Sequence, residues 1–207
     1  MTSDPALSST TGQRGPAEHV IRQQIVDAAN AHFSRFGYGK TTVADLAKAI
    51  GFSKAYIYKF FESKQAIGEA ICAQCQEKIL ATAQASVAEG RSATDKFRRL
   101  FRTIIDMSTE LLFQDKMLHD IAAYAVTEGW ASTAAYRDRI GELLSEIIAL
   151  GRETGEFERK TPIDETCEAI MLVMESFMNP LMLQLRLEGL PEAPTKVTNL
   201  VLRSLAP

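Results

Sequence analysis

The sequence predicts an all-α protein in which a small N-terminal helical domain precedes a larger helical bundle. Apolar residues recur at spacings of three and four over most of the chain, as the buried face of a helix requires. Sustained alternation of apolar and polar residues, the pattern of a half-buried strand, does not occur. Of 207 residues, 46% are hydrophobic and 24% charged, which is typical of a globular protein with a full core.

The first helix is predicted to follow a tail with few apolar residues. Residues 1–15 are rich in Ser, Thr, Gly and Pro, and we expect them to be disordered. The helical pattern starts after Pro16 and ends at Gly37 and Gly39, because glycine accepts the left-handed conformation that terminates helices. The predicted inner face of this helix comprises Val20, Ile21, Ile25, Ala28, Ala29, Phe33 and Phe36.

Three capped helices are predicted next. Thr41 or Thr42 can cap a short helix, and Asp45 follows Thr42 by three residues, as in a capping box. After a break at Gly51-Phe52, Ser53 can cap a third helix that runs to about residue 61. Ser63 can cap a fourth, longer helix, to about residue 85.

Five further helices are predicted in the remainder of the chain. One of them is strongly apolar, and Pro180 in its second half is expected to kink it, because proline removes a backbone hydrogen bond. The predicted helices cover approximately residues 97–111, 115–127, 136–150, 164–187 and 197–204.

The net charge of −3 conceals an asymmetry along the chain. Residues 14–64 carry eight Lys and Arg against four Asp and Glu, whereas residues 65–207 carry 15 against 21. A small basic module therefore precedes a larger acidic one. This distribution hints at an anionic partner for the first module.

The N-terminus and the cysteines indicate a cytoplasmic protein. No basic segment followed by an apolar stretch marks a secretory signal. The longest apolar runs fall far short of the roughly 20 residues that a membrane span needs. Three cysteines cannot form a disulfide framework, which suggests a reducing compartment.

Motifs of catalysis and metal binding are missing or incomplete. Gly39-Lys40-Thr41 resembles the end of a phosphate-binding loop, but the preceding helix and Ser34 exclude that motif. Cys72 and Cys75 have no second Cys or His pair nearby, so small core residues are favoured over a metal or redox site. We therefore expect no enzymatic activity, no metal and no cofactor.

Residues 41–61 have the layout of a helix-turn-helix, whose second helix enters the DNA major groove. Outward-facing Lys and Tyr side chains can contact phosphates and base edges. The alternative is an ordinary three-helix cap with a solvated basic face. Spacing alone leaves both interpretations open.

The stretch TTVADLAKAIGFSKAYIYKFFESKQAI, residues 41–67, resembles the DNA-binding module of the TetR family of transcriptional regulators. The end of the preceding helix, FSRFGYG at residues 33–39, is also similar to that family. The resemblance covers about residues 18–68. It implies a helix-turn-helix domain over residues 16–62 and a ligand-binding and dimerisation domain over residues 63–207.

The resemblance also assigns roles to individual residues. It implies phosphate contacts for Thr42, Tyr58 and Lys64, and base or groove-edge contacts for Lys54, Tyr56 and Lys59. Tyr56 stands where the family often has a small residue, so the operator sequence cannot be borrowed from a relative. The complete predicted DNA-binding set is Thr41, Thr42, Ser53, Lys54, Tyr56, Tyr58, Lys59 and Lys64.

A homodimer is expected, because one short helix reads only a few base pairs and useful specificity needs two half-sites. The helix over residues 166–185 is apolar around much of its circumference and needs cover on several sides. A central position in a monomer is the alternative. The predicted interface residues are Ile170, Met171, Leu181, Leu185, Val197, Leu200 and Val201.

An apolar effector pocket is expected within the bundle, with Asp106, His119 and Glu175 as candidate polar anchors. Met and aromatic side chains suit such a pocket, although the same pattern is common in plain cores. The predicted pocket residues are Phe97, Phe101, Ile104, Met107, Leu111, Tyr124, Trp130, Met174, Phe177 and Met178.

These expectations combine into one functional hypothesis and one alternative. The hypothesis is a homodimeric regulator, a repressor, that binds a palindromic operator in double-stranded DNA and responds to a small apolar or aromatic effector. The alternative is a helical module that carries a ligand or binds a protein partner without binding DNA.

Overall fold

A computed structural model describes residues 14–190 and 192–207, and all its regular elements are helical. The predicted all-α class is therefore confirmed. The helices are α1 (Arg14–Phe36), α2 (Val43–Ile50), α3 (Lys54–Ile57), α4 (Lys64–Ala88), α5 (Ala93–Gln114), α6 (Lys116–Thr127), α7 (Ala131–Thr154), α8 (Ile163–Met178), α9 (Pro180–Gln184) and α10 (Ala193–Ser204), with a short 3₁₀ turn at Leu187–Gly189 between the last two.

Most helix boundaries lie close to the sequence prediction. Helix α1 begins at Arg14, three residues before the predicted start, so Arg14 and Gly15 of the expected disordered tail are helical. Residues 1–13 of that tail lie outside the described residues. Ser63 caps α4, as predicted, by accepting a hydrogen bond from the amide of Ala66 at 3.0 Å. Helix α3 is shorter than expected, because regular helical hydrogen bonding stops at Ile57 and turns continue to Phe61.

The predicted kink at Pro180 is instead a complete break. Helix α8 ends at Met178, and Asn179 adopts an extended conformation before α9 starts at Pro180. The side-chain oxygen of Asn179 accepts hydrogen bonds from the amides of Leu181 and Met182, at 3.0 and 3.4 Å. An Asn cap followed by proline at the first helical position is a standard helix start, which explains why the sequence begins a new helix here.

Two apolar cores organise the chain. The first joins α1, α2 and α3 to the first turns of α4, through residues such as Ile67 and Ile71. It also contains Ile121, Ala125 and Trp130 from α6 and the turn that follows it. The second core fills the bundle of α4, α5, α7, α8 and α10. The N-terminal core thus extends beyond the predicted boundary at residue 62.

The turn at residues 155–157 ties α7 to α5. Gly155 has a positive φ of 79° and ends α7. The carboxylate of Glu156 accepts hydrogen bonds from the amides of Ala93 and Thr94, at 2.9 and 3.0 Å, which satisfies the N-terminus of α5. The ring of Phe157 then packs on Gly151, where any Cβ would lie 2.1 Å from it. Among the described residues, no helix is long and apolar enough to cross a membrane.

Candidate functional site

The start of α2 is fixed by the predicted capping box. The Thr42 hydroxyl accepts a hydrogen bond from the Asp45 amide at 3.2 Å, and the Asp45 carboxylate accepts one from the Thr42 amide at 2.9 Å. The hydrogen bonds from Thr42 hold the pKa of the exposed Asp45 below its ordinary value. At the other end of α2, Gly51 ends the helix with a positive φ of 72°. These two signals set the length of α2 and the path into α3.

Helix α3 presents a polar and aromatic surface. Ser53 caps it by accepting a hydrogen bond from the Tyr56 amide at 3.1 Å. Lys54 and Tyr58 are exposed, and the Lys54 ammonium lies 5.7 Å from the centre of the Tyr58 ring. The exposed Lys59 has the same relation, at 5.7 Å, to the Tyr56 ring. Two lysine–tyrosine pairs thus make up the polar surface of α3 and the turn after it, here called the α3 face.

Tyr56 is the most constrained member of this face. Its ring is half-buried and packs edge-on between Phe52 and Phe60, with centroid distances of 4.9 and 5.3 Å. Edge-to-face contacts of this kind stabilise a defined ring orientation. The bulky residue at this position is therefore part of an aromatic stack with its neighbours.

Arg22 of α1 holds the end of this segment in place. Its guanidinium donates a hydrogen bond of 2.6 Å to the Phe60 carbonyl and lies 4.0 Å from the centre of the Phe61 ring. Arginine suits this position, because its planar group donates and stacks at the same time. No local pattern marks this residue, since its partners Phe60 and Phe61 lie 38 and 39 residues further along the chain.

Lys64 lies at the junction of the helix-turn-helix and α4. Its ammonium donates hydrogen bonds of 3.1 Å to the carbonyls of Tyr38 and Thr41, and it lies 4.4 Å above the Tyr38 ring. Burial lowers the pKa of this lysine. The side chain therefore joins the α1–α2 turn to the start of α4.

Thr41 differs from the other predicted DNA-binding residues. It is only 3% exposed, and its hydroxyl donates a hydrogen bond of 2.9 Å to the Gly37 carbonyl. The side chain is enclosed in the N-terminal domain, which corrects its assignment to a DNA contact. Thr42 and Ser53 are exposed, like the residues of the α3 face.

A cavity of about 380 Å³ opens between α4, α5, α6, α7, α8 and α9. Its walls are mainly apolar, as is usual for small-molecule sites, which measure about 300–1,000 Å³. The lining residues are Cys72, Cys75, Gln76, Ile79, Ser108, Leu111, Leu118, His119, Ala122, Val126, Gly129, Trp130, Thr133, Ala134, Tyr136, Arg137, Met171, Glu175, Met178, Asn179, Pro180 and Leu183.

Three of the ten predicted pocket residues line this cavity, namely Leu111, Trp130 and Met178. Met107 borders a neighbouring cavity of about 330 Å³. Tyr124 is 44% exposed and packs on Tyr38 instead. The other five side chains are at most 2% exposed and fill the bundle core, which corrects their assignment to the pocket: Phe97, Phe101, Ile104, Met174 and Phe177.

Two of the three candidate polar anchors also lie on the cavity wall. The ring nitrogen Nε2 of His119 is 3.0 Å from the Pro180 carbonyl oxygen. Glu175 forms an ion pair of 3.4 Å with Arg137. Asp106 lies elsewhere, in an exposed pair with Arg102.

The first turns of α7 contribute a part of the cavity wall that the predicted pocket residues do not include. Tyr136 and Arg137 follow Thr133 by three and four residues and therefore lie on the same side of α7 as Thr133. The available signal was weak, because α7 carries polar and charged side chains along most of its length.

Two cysteines of α4, Cys72 and Cys75, also lie on the wall. Burial raises the pKa of Cys72 to about 12 and also raises that of Cys75, so both remain protonated thiols. In the part of the chain that the structure describes, no group of three or more His, Cys, Asp or Glu side chains is placed to hold a metal ion.

Trp130 connects the cavity to the N-terminal domain. It is 3% exposed, lines the cavity, and packs edge-on against Tyr38 at a centroid distance of 5.4 Å. Tyr38 in turn provides the carbonyl that Lys64 binds. One continuous set of contacts thus leads from the cavity wall to the α1–α2 turn.

The predicted interface residues divide into two groups. Ile170, Met171 and Val201 are at most 8% exposed and belong to the core of their own chain, which corrects their assignment to a subunit interface. Val197 is half-buried. The other three, Leu181, Leu185 and Leu200, are exposed. Four further apolar side chains of the same C-terminal region are also exposed: Leu172, Val173, Met182 and Leu187.

Two family models match this chain. The model for bacterial regulatory proteins of the tetR family matches residues 25–71, and the model for the tetracyclin repressor-like C-terminal domain matches residues 93–197. The first match contains α2 and α3, and the second contains most of the cavity wall.

Individual relatives agree with these matches. The HTH-type transcriptional repressor Rv1474c of Mycobacterium tuberculosis is 39% identical over 62 residues, which is 30% of this chain but only 33% of that repressor. The HTH-type transcriptional repressor KstR2 of Rhodococcus jostii is 24% identical over 169 residues, covering 79% of this chain and 78% of that repressor.

A solved structure extends the likeness to the whole fold. The TetR family transcriptional regulator PfmR from Thermus thermophilus is 26% identical, with a TM-score of 0.59 over 89% of this chain and 100% of that chain. The two family models together cover both the helix-turn-helix and most of the helical bundle. This chain belongs to the TetR family of transcriptional regulators.

Proposed function

We propose that the chain is a ligand-responsive repressor that binds a palindromic operator as a homodimer. The observation that carries this proposal is the α3 face, where Lys54, Tyr58 and Lys59 are exposed and pair with tyrosine or lysine neighbours, Lys54 with Tyr58 and Lys59 with the half-buried Tyr56. Lysine and tyrosine supply both phosphate contacts and base-edge contacts. Arg22 supports the proposal by fixing the end of this segment from α1.

Residues 16–62 form the proposed DNA-binding domain, and residues 63–207 form the proposed ligand-binding and dimerisation domain. Thr42 and Ser53 lie at the exposed starts of α2 and α3. Lys64 uses two of its three ammonium N–H groups within the chain, so one remains for a phosphate. Buried Thr41 is left out of the proposed contacts.

Exposed apolar side chains support the proposed dimer. Leu172 on α8 and Leu200 on α10 are each 59% exposed, and the two helices pack against each other. Apolar surface on adjacent helices favours association with the same surface of a second copy. Two recognition helices would then face half-sites about 34–36 Å apart, one turn of DNA, or a multiple of that distance.

The cavity is the proposed effector site. A ligand in it contacts Trp130, and Trp130 contacts Tyr38 and α4, which carry the helix-turn-helix. Movement of α4 would reset the spacing of the two recognition helices. The ligand releases the operator only if it binds the released conformation more tightly than the DNA-competent one.

Selection of bound sequences from random duplex DNA, at near-physiological salt, tests DNA binding directly. We expect enrichment of an inverted repeat. If a folded, dimeric protein enriches no sequence, the repressor proposal is wrong, and a module that carries a ligand or binds a protein partner replaces it.

The salt dependence of operator binding tests the individual contacts. Each phosphate contact that is lost should reduce the slope of log K against log salt by about one unit. We expect this for Lys54→Ala or Lys59→Ala if the lysine binds phosphate, and a relaxed sequence preference if it reads a base. Lys160→Ala removes an exposed lysine between α7 and α8 and serves as the control.

A further inference from the structure

Among the described residues, two that line the cavity carry buried hydroxyl groups without hydrogen-bond partners. The side-chain oxygens of Thr133 and Tyr136 are shielded from solvent and have no hydrogen-bond partner among the described residues. Both residues line the cavity and lie three positions apart on one face of α7. Buried hydroxyl groups are normally hydrogen-bonded, so two unpaired ones in the wall of one cavity require an explanation.

The rest of the wall carries no uncompensated charge near these groups. Arg137 is paired with Glu175 at 3.4 Å, and burial keeps the Cys72 and Cys75 thiols protonated by raising their pKa. Burial likewise raises the pKa of Tyr136, which therefore keeps its proton and can both donate and accept a hydrogen bond. A charged ligand would lose its hydration here without gaining an opposite charge.

We propose that the effector is an uncharged, mainly apolar molecule with a hydroxyl group that hydrogen-bonds to Tyr136 and Thr133. The inference rests on the proposed role of the cavity as the effector site. A hydroxyl both donates and accepts, so one ligand hydroxyl has the capacity for a hydrogen bond to each of these side chains. The apolar remainder of the molecule would lie against side chains such as Ile79, Leu111 and Trp130.

The same two hydroxyls explain how binding would change the conformation. Their oxygens have almost no accessible surface. The first turns of α7 therefore have to move away from the neighbouring helices before a ligand can reach them. Trp130 immediately precedes α7 and lies three residues before Thr133. Hydrogen bonds that form only after this movement of α7 give the ligand a higher affinity for the moved conformation, as a ligand-induced shift in conformation requires.

The test uses three probes with the same ring system: 2-naphthol, naphthalene and 2-naphthoate. Isothermal titration calorimetry measures their affinity for the full chain, for Tyr136→Phe and for Thr133→Val. We expect 2-naphthol to bind the unmodified chain about three- to tenfold more tightly than naphthalene, and 2-naphthoate to bind most weakly.

The variants decide whether the two hydroxyls are responsible. In Tyr136→Phe the preference for 2-naphthol over naphthalene should disappear, and in Thr133→Val it should shrink. Both variants remove an unpaired buried hydroxyl at nearly constant shape, so we expect them to fold at least as stably. Tyr124→Phe removes a hydroxyl outside the cavity wall and should leave all three affinities unchanged.

Several outcomes would overturn the inference. They are tightest binding of 2-naphthoate, an unchanged preference in Tyr136→Phe and Thr133→Val, or no binding of any probe. Operator binding is measured in parallel to separate the two proposals. Probes that bind with the expected preference but leave operator affinity unchanged contradict the ligand-responsive repressor and leave the ligand class standing.

Discussion

Trp130 packs so closely on Gly68 that an ideal Cβ at Gly68 would lie 2.6 Å from Cη2 of the indole. Gly68 belongs to the second turn of α4, directly after the helix-turn-helix, whereas Trp130 lines the cavity. Glycine is needed here for the close approach of the ring. The contact makes the position of Trp130 and the position of α4 mutually dependent.

Gly68→Ala should therefore be destabilising, because the added methyl group overlaps the indole ring. We expect a loss of about 1–3 kcal/mol in the free energy of unfolding, as for other overpacked sites. Chemical denaturation followed by circular dichroism measures it. Gly141→Ala, in α7 with nothing within 4 Å of the new Cβ, is the control and should be stabilising by about 0.5–1 kcal/mol. Equal effects at both positions would contradict the packing argument.

Arg22→Met should loosen the recognition segment. It removes the hydrogen bond to Phe60 and the stacking on Phe61 while retaining most of the apolar stem. We expect the free energy of unfolding to fall by about 1 kcal/mol and operator affinity to fall with it. Titration of fluorescent operator DNA measures the second effect. Arg102→Met, which removes an exposed arginine of α5, should change neither quantity.

Glu156→Gln should weaken the join between α7 and α5 in a pH-dependent way. Burial raises the pKa of Glu156, but hydrogen bonds from Ala93 and Thr94 outweigh it and hold the pKa below its ordinary value. A depressed carboxyl pKa stabilises the fold above about pH 4.3, the unfolded value, and this contribution is lost as the pH falls through the folded pKa.

We expect Glu156→Gln to be less stable than the unmodified chain by about 1 kcal/mol at neutral pH, allowing for the solvent-facing side of the carboxylate. The difference should shrink on acidification. Urea denaturation over a series of pH values checks both points. Glu146→Gln, at an exposed position on α7, is the control for the loss of one carboxylate. If the stability difference between Glu156→Gln and the unmodified chain grows towards acid pH, the stabilising role of the Glu156 carboxylate is refuted.

Leu172→Glu should abolish the proposed dimer, because it places a charge in exposed apolar surface on α8. Sedimentation velocity should report a monomer, and operator binding should weaken greatly, since a monomer contacts one half-site. Phe113→Glu is the matched control, because Phe113 is also an exposed apolar residue, 67% exposed, but belongs to the end of α5 and not to α8 or α10. A dimeric Leu172→Glu protein would place the interface elsewhere.

Local signals predicted the helix-turn-helix well. Thr42 with Asp45, Gly51, Ser53 and Ser63 act on their immediate neighbours, so their effect is readable from short stretches of sequence. The order of helices followed from periodicity for the same reason. The predicted kink at Pro180 is wrong, because Asn179 supplies a cap and a new helix starts at Pro180.

The cavity was harder to predict, because periodicity identifies a buried face but not what that face meets. Phe97 and Phe101 have the spacing expected of a pocket, yet they pack against each other at 5.0 Å within the core. The same limit applies to Ile170 and Met171, which face inward from α8. Arg22 and Lys64 act on carbonyls brought near by tertiary folding, which no local pattern encodes.

The break between α8 and α9 also fixes a proton position in the cavity. The carbonyl of Pro180 can only accept a hydrogen bond, so the Nε2 atom of His119, 3.0 Å away, must carry the hydrogen. In the neutral imidazole this selects one tautomer, with the lone pair on Nδ1. An interrupted helix thereby gives the histidine of the cavity wall a defined donor side, while its Nδ1 atom lies 4.0 Å from a carboxylate oxygen of Asp120.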